Sequence, residues 1–329
     1  MSQYDIYALG AALLDTEIEV SDADLATFNI DKGVMTLVDE ARQHELMNAL
    51  SEHLVHSKRS SGGSAANSVI AASYFGSKCF YSCKVANDEN GKHYLADLSA
   101  ANVAFHNNNG VDTGITGKCL VLITPDAERT MNTYLGISEQ LSTKDIDEDA
   151  LSQSRWAYIE GYQVTSETGR PAAIKLRELA HKHKVKVALS LSDPAMVQFF
   201  HEGLSSMIGD GVDLLFCNEA EALAYTKSDN IDDAAEVLKA CAQSFAITLG
   251  AKGALIYDGQ NLSTVDGVEA KAVDTNGAGD MFAGTFLHAL CEGASYEEAA
   301  KLANRSAAIV VSQYGPRLRE EQYLELKSN

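Results

Sequence analysis

The sequence predicts an α/β fold, built as a doubly wound and mainly parallel sheet with a small β lid. Strand-like apolar runs alternate with helical segments of 10–15 residues along most of the chain, as in consecutive βαβ units. Two segments, at about 16–40 and 118–136, break this alternation and are the candidates for the lid. Right-handed crossovers place helices on both faces of such a sheet, and ligands bind at the carboxyl ends of its strands. We therefore expect one domain spanning 1–329, with the lid segments inserted in it.

The first half of the chain contains helices and strands in turn. Leu46, Leu50 and Leu54 have helical spacing, and a Ser/Gly cluster at 60–64 precedes an alanine-rich helical stretch. The turn 125–128 separates two strand-like runs, as in a hairpin. The sequence predicts strands at 4–10, 78–85, 118–124, 129–135 and 156–160, and helices at 41–55, 64–75 and 91–101.

The second half continues the alternation with shorter connections. Its apolar runs are bounded by polar or glycine-containing turns, and its longest helical patterns lie near the end of the chain. The sequence predicts strands at 185–191, 213–217, 245–249, 254–257 and 268–273, and helices at 168–183, 218–226, 232–242, 279–291 and 296–311.

The charge balance disfavours several classes of partner. The chain has 26 Lys and Arg against 46 Asp and Glu, which gives a formal net charge of −20. A surface this acidic repels nucleic-acid backbones and anionic membranes. The six cysteines form no CxxC pair, so we expect buried free thiols. No basic leader and no apolar run of about 18 residues is present, which predicts a soluble, cytoplasmic protein.

The segment 273–285 reads V-D-T-N-G-A-G-D-M-F-A-G-T and is the strongest indication of chemistry. Its Gly-Ala-Gly turn precedes a helical pattern, so free backbone N–H groups converge at a helix N-terminus and form an anion site. Asp280 follows the turn directly. A carboxylate there is costly in a site that only holds phosphate, but it suits a base that accepts a proton from a hydroxyl attacking that phosphate.

The structural alternative for Asp280 is an ordinary helix cap after a glycine turn. Two other nucleotide-binding motifs are excluded by the spelling of this segment. A dinucleotide fingerprint requires a third glycine where Phe282 stands, and the chain has no G-x-x-x-x-G-K-[ST] loop.

Two features near the start of the chain suit a hydroxylated substrate. Gly62 and Gly63 allow a ligand to approach the backbone, and Asn67 lies one turn into the helix that follows. Asp15 ends an apolar run, where a carboxylate can accept hydrogen bonds from two vicinal hydroxyls. A plain helix start and a loop aspartate are the corresponding structural alternatives.

Three features suit a nucleotide. Asn218 ends a buried strand and Glu221 follows one helical turn later, where it can hold Mg²⁺ through water; a capping box has the same spacing. Gly250 and Gly253 lie in a turn between two strands, where a nucleotide can pass close or where the turn is simply structural. Arg129 follows the predicted lid turn and can reach a phosphate or substrate, or stay an exposed strand residue.

Taken in this order, these motifs resemble the ribokinase-like (PfkB-type) family of carbohydrate and nucleoside kinases, over nearly the whole chain. The segments 13–16, 187–194 with 198–200, and 212–222 are similar to members that act on adenosine, in a first strand, a central strand with its loop, and the next strand. The resemblance implies ATP-dependent phosphorylation of a primary hydroxyl of a nucleoside, adenosine first. A sugar kinase of the ribokinase or fructokinase type is the alternative, and a non-catalytic sugar or nucleotide sensor is the alternative of another class.

The resemblance also implies roles for individual residues. The catalytic and acceptor roles fall on Asp280 as the base, on Gly277, Ala278 and Gly279 as the anion hole, and on Asp15, Gly62, Gly63, Asn67, Arg129 and Tyr162 as substrate-binding residues. The ATP and metal roles fall on Asn218, Thr248, Gly250, Gly253 and Asn304 for ATP, Glu221 for Mg²⁺ through water, and Asp274 for K⁺.

One position departs from the pattern of the adenosine-specific members. They carry paired aromatic residues after the strand that corresponds to 157–160, whereas this chain has Tyr162 followed by Gln163. An aromatic face suits a purine, so Tyr162 can stack on the base, whereas Gln163 replaces the second aromatic ring. A different nucleoside or a free sugar therefore stays open, and the exposed lid leaves room for a homodimer.

Overall fold

The computed structural model of the protein describes residues 2–53 and 60–328. Within these residues the chain forms the strands β1 (Tyr4–Leu9), β2 (Leu13–Glu19), β3 (Met35–Leu37), β4 (Ser60–Gly62), β5 (Cys79–Ser82), β6 (Val103–Phe105), β7 (Gly117–Ile123), β8 (Arg129–Tyr134), β9 (Ser154–Glu160), β10 (Lys186–Ser190), β11 (Leu214–Asn218), β12 (Phe245–Thr248), β13 (Gly253–Tyr257) and β14 (Leu262–Asp266). The α-helices are α1 (Asp22–Thr27), α2 (Glu40–Ala49), α3 (Ser64–Phe75), α4 (Glu89–Ala100), α5 (Glu148–Ser152), α6 (Gly169–His183), α7 (Pro194–Ile208), α8 (Glu219–Thr226), α9 (Ile231–Leu238), α10 (Ala278–Cys291), α11 (Tyr296–Val310) and α12 (Glu320–Ser328).

Nine strands form one large sheet in the order β14-β13-β12-β11-β10-β9-β1-β5-β6. Neighbours from β12 to β6 are parallel, and β13 and β14 add an antiparallel edge. The order runs outward from β1 in both directions, so the polar residues at several strand ends meet along one edge of the sheet. The predicted doubly wound, mainly parallel sheet is confirmed.

Helices cover both faces of this sheet because successive strand residues point to opposite sides. Along β1, Tyr7 and Leu9 belong to the core shared with α6, α7, α8 and α9. Ile6 and Ala8 belong to the opposite core, shared with α3, α4, α10 and α11. Strands buried on both faces read as continuous apolar runs, as the sequence does at these positions.

The lid is a second, five-stranded sheet in the order β3-β8-β7-β2-β4. One of its faces packs Ile18, Leu120 and Leu122 against α1 and α2. The other carries a smaller apolar cluster that includes Leu13 and Cys119 and faces the large sheet. Strands from both segments expected to form the lid take part in it, together with β4.

Several helices begin where the sequence offers capping side chains. Asn218 and Glu221 form a reciprocal capping box at the start of α8, which is the structural role that the sequence offered for this pair as an alternative. Ser295 and Glu298 form the same box at α11. These caps satisfy backbone N–H groups that the first helical turn leaves without partners.

Three predicted elements differ from the structure. The strand predicted at 268–273 is wrong: the N–H groups of Val273 and Asp274 donate to the Val311 carbonyl, at 2.7 and 3.2 Å, which joins the segment to the end of α11 instead of a strand. The segment 198–200, compared above with a loop, lies inside α7. The helix predicted at 41–55 ends at Ala49; Leu54 and Val55 lie outside the described residues.

The cysteine prediction agrees with the structure. All six thiols are free, and all but Cys241 are buried. Among the described residues, none of the helices has the length and apolar character that crossing a membrane requires.

Candidate active site

A cavity of about 520 Å³ lies between the carboxyl ends of the parallel strands and the lid. It brings together residues that the sequence separates by more than 250 positions. Its lining includes most of the predicted site residues, namely Asp15, Gly63, Asn67, Arg129, Tyr162, Asn218, Glu221, Thr248, Gly250, Gly277, Ala278, Gly279 and Asp280. The turn of the lid hairpin contacts the loop before α10, where Thr275 Oγ1 donates to the Ala127 carbonyl at 3.0 Å.

The turn before α10 depends on glycine. Gly277 caps the helix in the left-handed conformation, with φ of 73°, and a Cβ atom there would overlap Pro316. Further along α10, a Cβ on Gly284 would overlap the Ser68 carbonyl. The absence of side chains therefore allows α10 to pack directly on α3, which brings the starts of the two helices together.

Asp280 lies in the first turn of α10 and contacts the first turn of α3. Ser64 Oγ donates to its Oδ1 at 2.6 Å, and Asn67 Nδ2 donates to its Oδ2 at 3.0 Å. Burial raises the pKa of Asp280 above its ordinary value of 3.8, while these two hydrogen bonds and the nearby Arg129 charge act in the opposite direction. The carboxylate is thus held in place with one edge on the cavity.

Backbone donors lie beside this carboxylate. The Ala278 N–H donates to the Thr275 carbonyl at 3.3 Å, closing the turn. The N–H groups of Gly279 and Asp280 have no acceptor among the described residues. A Cβ on Gly279 would meet no atom within 4 Å, so this position opens on the cavity. A helix N-terminus with free N–H groups is suited to an anion such as a phosphoryl group.

A pair of glycine substitutions separates the two roles of this turn. Gly277→Ala should destabilise the protein, because a left-handed alanine costs about 1–2 kcal/mol and its Cβ overlaps Pro316. Gly279→Ala should leave the melting temperature unchanged but lower turnover, because its methyl group would point into the anion site. Thermal unfolding and ADP release measure both variants. An active, equally stable Gly277→Ala variant would contradict this view of the turn.

Asp15 lines the same cavity from β2 and is only 4% exposed. Within the described part of the chain, no donor hydrogen-bonds to its carboxylate. Burial and the neighbouring Glu17 raise its pKa well above 3.8, and Arg317 opposes this shift. The carboxylate also lies against the Cα of Gly62, where a side chain would overlap it. A buried carboxylate that lacks donors is suited to the hydroxyl groups of a ligand.

Tyr162 and Arg129 both line the cavity. The Tyr162 hydroxyl donates to the Ser192 carbonyl at 3.3 Å, which fixes the ring beside the cavity. Arg129 is on the lid hairpin; burial lowers its pKa, but the Tyr162 oxygen and the carboxylates of Asp193 and Asp280 outweigh this and raise it. The guanidinium therefore stays charged where an anionic ligand would meet it.

The part of the cavity where the sequence predicts a nucleotide is formed by β11, α8 and the β12–β13 turn. Asn218 Oδ1 accepts from the Glu221 N–H at 2.8 Å, and Asn218 Nδ2 donates to Glu221 Oε1 at 2.7 Å. Burial raises the pKa of Glu221 to about 7. Gly250 has φ of 58° and no atom within 4 Å of a built Cβ, so the turn leaves space for a ligand.

Four predicted site residues lie outside the cavity lining. Gly62 packs against Asp15, and Gly253 packs against the backbone of β14. Asn304 Nδ2 donates to the Val265 and Asp266 carbonyls, at 3.3 and 3.0 Å, so its amide holds the end of β14. Asp274 is fully buried and accepts from the N–H groups of Asn276 and Gly315, at 2.8 and 3.0 Å.

The structure adds Ser64 and Glu160, which the sequence prediction did not single out. Ser64 contacts Asp280 directly and stands between Gly63 and Asn67, so its place in that motif was the available signal. Glu160 lines the cavity with no side-chain exposure, and its position at the end of an apolar strand was the available signal. Gln163 also lines the cavity.

Comparison with known proteins gives one consistent family. A family model described as pfkB family carbohydrate kinase matches residues 30–322. The crystal structure of an adenosine kinase from Sinorhizobium meliloti has a TM-score of 0.94 at 32% identity, covering 99% of both chains. A probable sugar kinase from Rhizobium etli CFN 42 has a TM-score of 0.94 at 30% identity, covering 100% of this chain and 99% of the other. Adenosine kinase of Saccharomyces cerevisiae is 28% identical, covering 94% of this chain and 96% of its own.

Proposed function

Since the chain belongs to the pfkB family of carbohydrate kinases, we propose that it transfers the γ-phosphoryl group of ATP to a primary hydroxyl of a nucleoside, adenosine first. It is a phosphotransferase with an alcohol group as acceptor, and kinases of this family use ATP with a divalent metal. The observation that supports a nucleoside is the apolar lid wall. Leu13, Met35, Met131 and Leu135 line the cavity on the lid side. A nucleobase has an apolar face to cover such a wall, whereas a free sugar carries hydroxyls on most of its surface.

In the proposed reaction Asp280 acts as the general base. The acceptor hydroxyl gives its proton to the Asp280 carboxylate while its oxygen bonds to the γ-phosphorus. The bond from that phosphorus to the β–γ bridging oxygen breaks, and ADP leaves. The N–H groups of Gly279 and Asp280 stabilise the charge on the transferring group, and Ser64 and Asn67 hold the base in position.

Asp15 and Asn67 are proposed to hold the ribose, with Gly63 allowing close approach, while Tyr162 stacks on the base. Arg129 is proposed to contact the phosphates when the lid is closed. Asn218, Thr248 and Gly250 are proposed to line the ATP side. A supporting role without ligand contact is proposed for Gly62, Gly253 and Asn304, because they lie outside the cavity lining.

Two cations are proposed. Among the described residues, no group of three or more His, Cys, Asp or Glu side chains converges as a metal cage. This fits Mg²⁺, which keeps several waters and takes most of its other ligands from substrate phosphates. Glu221 would then contact the water shell. The residues beside Asp274 fit a monovalent cation such as K⁺, because Glu17 Oε1 is buried there and has no hydrogen-bond partner in the described part of the chain.

A substrate panel tests the acceptor. ADP release is measured with adenosine, inosine, guanosine, ribose, fructose and 2-keto-3-deoxygluconate. We expect kcat/KM for adenosine to exceed that for ribose by at least about a hundredfold, since a base covers a large apolar area on the lid wall and Tyr162. A preference for a free sugar would contradict the proposal. It would instead favour the sugar-kinase alternative. Two observations support that alternative, namely the similarity to the probable sugar kinase and the polar side chain of Gln163.

Variants of Tyr162 provide the matched control. Tyr162→Ala should lower kcat/KM for the nucleoside more than for ribose, whereas Tyr162→Phe keeps the ring and should lower it less. Equal effects of Tyr162→Ala on both acceptors would show that the ring does not contact the base. ADP release with none of the six acceptors would favour a different acceptor class or a non-catalytic sensor.

A further inference from the structure

Glu160 is a buried carboxylate at the centre of the molecule. It ends β9, which lies between β10 and β1 in the large sheet, and its side chain has no solvent exposure. Burying a charged carboxylate costs several kcal/mol unless hydrogen bonds compensate. Burial raises the pKa of Glu160 to about 7, and hydrogen bonds from Ala11, Ala65 and Gln163 act in the opposite direction. The fold keeps this costly group beside the cavity.

The hydrogen-bond donors to Glu160 come from three different parts of the chain. The Ala11 N–H donates to Oε1 at 2.6 Å, and the Ala65 N–H donates to Oε2 at 2.8 Å. Gln163 Nε2 donates to Oε1 at 2.9 Å. Ala11 is in the connection from β1 to β2, which continues to Asp15, and Ala65 is in the first turn of α3. None of the three donors is cationic, so directional hydrogen bonds rather than ion pairs hold the Glu160 carboxylate.

The first turn of α3 is where this contact reaches the catalytic residues. Ser64 and Asn67 flank Ala65, and both hydrogen-bond to Asp280. The gap that Glu160 fills has no spare room, since a Cβ on Gly10 would lie 2.5 Å from Glu160 Oε2. A shift of Glu160 would therefore move the Ala65 N–H and, with it, the two side chains that hold the base.

We propose that Glu160 is a positioning residue for phosphoryl transfer: through the Ala65 N–H it sets the first turn of α3, so that Ser64 and Asn67 hold Asp280 in line with the acceptor hydroxyl. The same carboxylate orients the side chain of Gln163, which lines the cavity. This inference rests on the proposed role of Asp280 as base. Glu160 itself exchanges no proton with substrate and is not a catalytic residue.

Glu160→Gln tests the proposal with the least change in shape. Its amide –NH₂ group must face either the Ala11 or the Ala65 N–H, which leaves two donors opposed. We expect kcat to fall by about ten- to hundredfold, because small misplacements of reacting groups have effects of this size. KM for ATP should change little. Glu148→Gln, a carboxylate on α5 that is paired with Lys182 and His183, is the matched control and should keep wild-type kinetics.

A double-mutant cycle separates positioning from general stability. If Glu160 acts through α3, the variant Glu160→Gln/Ser64→Ala should lose little more than the larger of the two single losses. If Glu160 only stabilises the fold, the two losses in kcat should multiply, which would overturn the proposal. An unchanged kcat in Glu160→Gln would also overturn it. Glu160→Asp replaces it in the cycle if circular dichroism shows that Glu160→Gln does not fold.

Asp280→Asn is measured alongside these variants. If Asp280→Asn is inactive and Glu160→Gln is fully active, only the role of Glu160 is contradicted. If Asp280→Asn is fully active, the proposed base is wrong and the proposed function loses its main support.

Discussion

Asp280→Asn should lower kcat by about 10²- to 10⁴-fold, the usual contribution of a positioned general base. The amide cannot accept the proton of the acceptor hydroxyl at neutral pH, although it has nearly the shape of the carboxylate. KM for ATP should change little, because the backbone N–H groups of Gly279 and Asp280 are unaffected. Steady-state ADP release at saturating ATP measures the effect.

The control for this variant removes the same charge elsewhere. Asp232→Asn changes an exposed residue in the first turn of α9 and should keep wild-type kinetics. The wild-type pH profile gives a second check. Because burial raises the pKa of Asp280 above 3.8 and the base works only when ionised, kcat should fall as the pH decreases through this raised value. Turnover near the wild-type level in Asp280→Asn would contradict the assignment.

Asp15→Asn should raise KM for the acceptor and leave KM for ATP nearly unchanged. Each hydrogen bond between a hydroxyl and a charged carboxylate contributes about 1.5–3 kcal/mol, so the loss of one corresponds to about a ten- to hundredfold increase. Asp15 has no hydrogen-bond donor among the described residues, which leaves its full capacity for the acceptor. Initial rates at varied nucleoside concentration measure the change.

Thermal unfolding distinguishes this binding role from a structural one. The pKa of Asp15 is raised in the folded state, so the folded protein binds a proton more readily than the unfolded chain. An ionised Asp15 therefore costs stability, and this cost is present when the pH is above the raised pKa. Asp15→Asn removes it, so the melting temperature should stay the same or rise. A lower melting temperature together with an unchanged acceptor KM would assign Asp15 to the fold instead.

Most of the fold was predictable because the sequence patterns that indicate its strands and helices lie within the segments that form them. Apolar runs give the parallel strands, and the glycine turn before Asp280 indicates an anion site from adjacent residues alone. Two predictions failed for different reasons. The strand expected at 268–273 was wrong because its last N–H groups bond to Val311, a partner that no local pattern reveals. α7 was missed although Asp193 and Pro194 form a helix start, with Asp193 as N-cap and Pro194 in the first turn.

The candidate site was predictable only in part because it depends on distant contacts. The glycines and Asn67 indicated a ligand-binding turn, but nothing in the sequence showed that Ser64 and Asn67 contact Asp280. Glu160 was missed for the same reason, since its donors lie 149 and 95 positions away at Ala11 and Ala65. The family resemblance implied an ATP role for Asn304, and in the structure its amide donates to carbonyls at the end of β14.

The contact between Ser64 and Asp280 joins residues 216 positions apart, which has a consequence for how the protein is made. Ribosomes add roughly 5–20 residues per second, so Asp280 is synthesised roughly 10–40 s after Ser64. During translation the start of α3 therefore waits without its carboxylate partner, and the turn that is proposed to bind phosphate does not yet exist. A nascent chain halted before residue 280 would contain the strands of the large sheet but not Asp280. Activity can emerge only late in synthesis, after nearly all of the scaffold has left the ribosome.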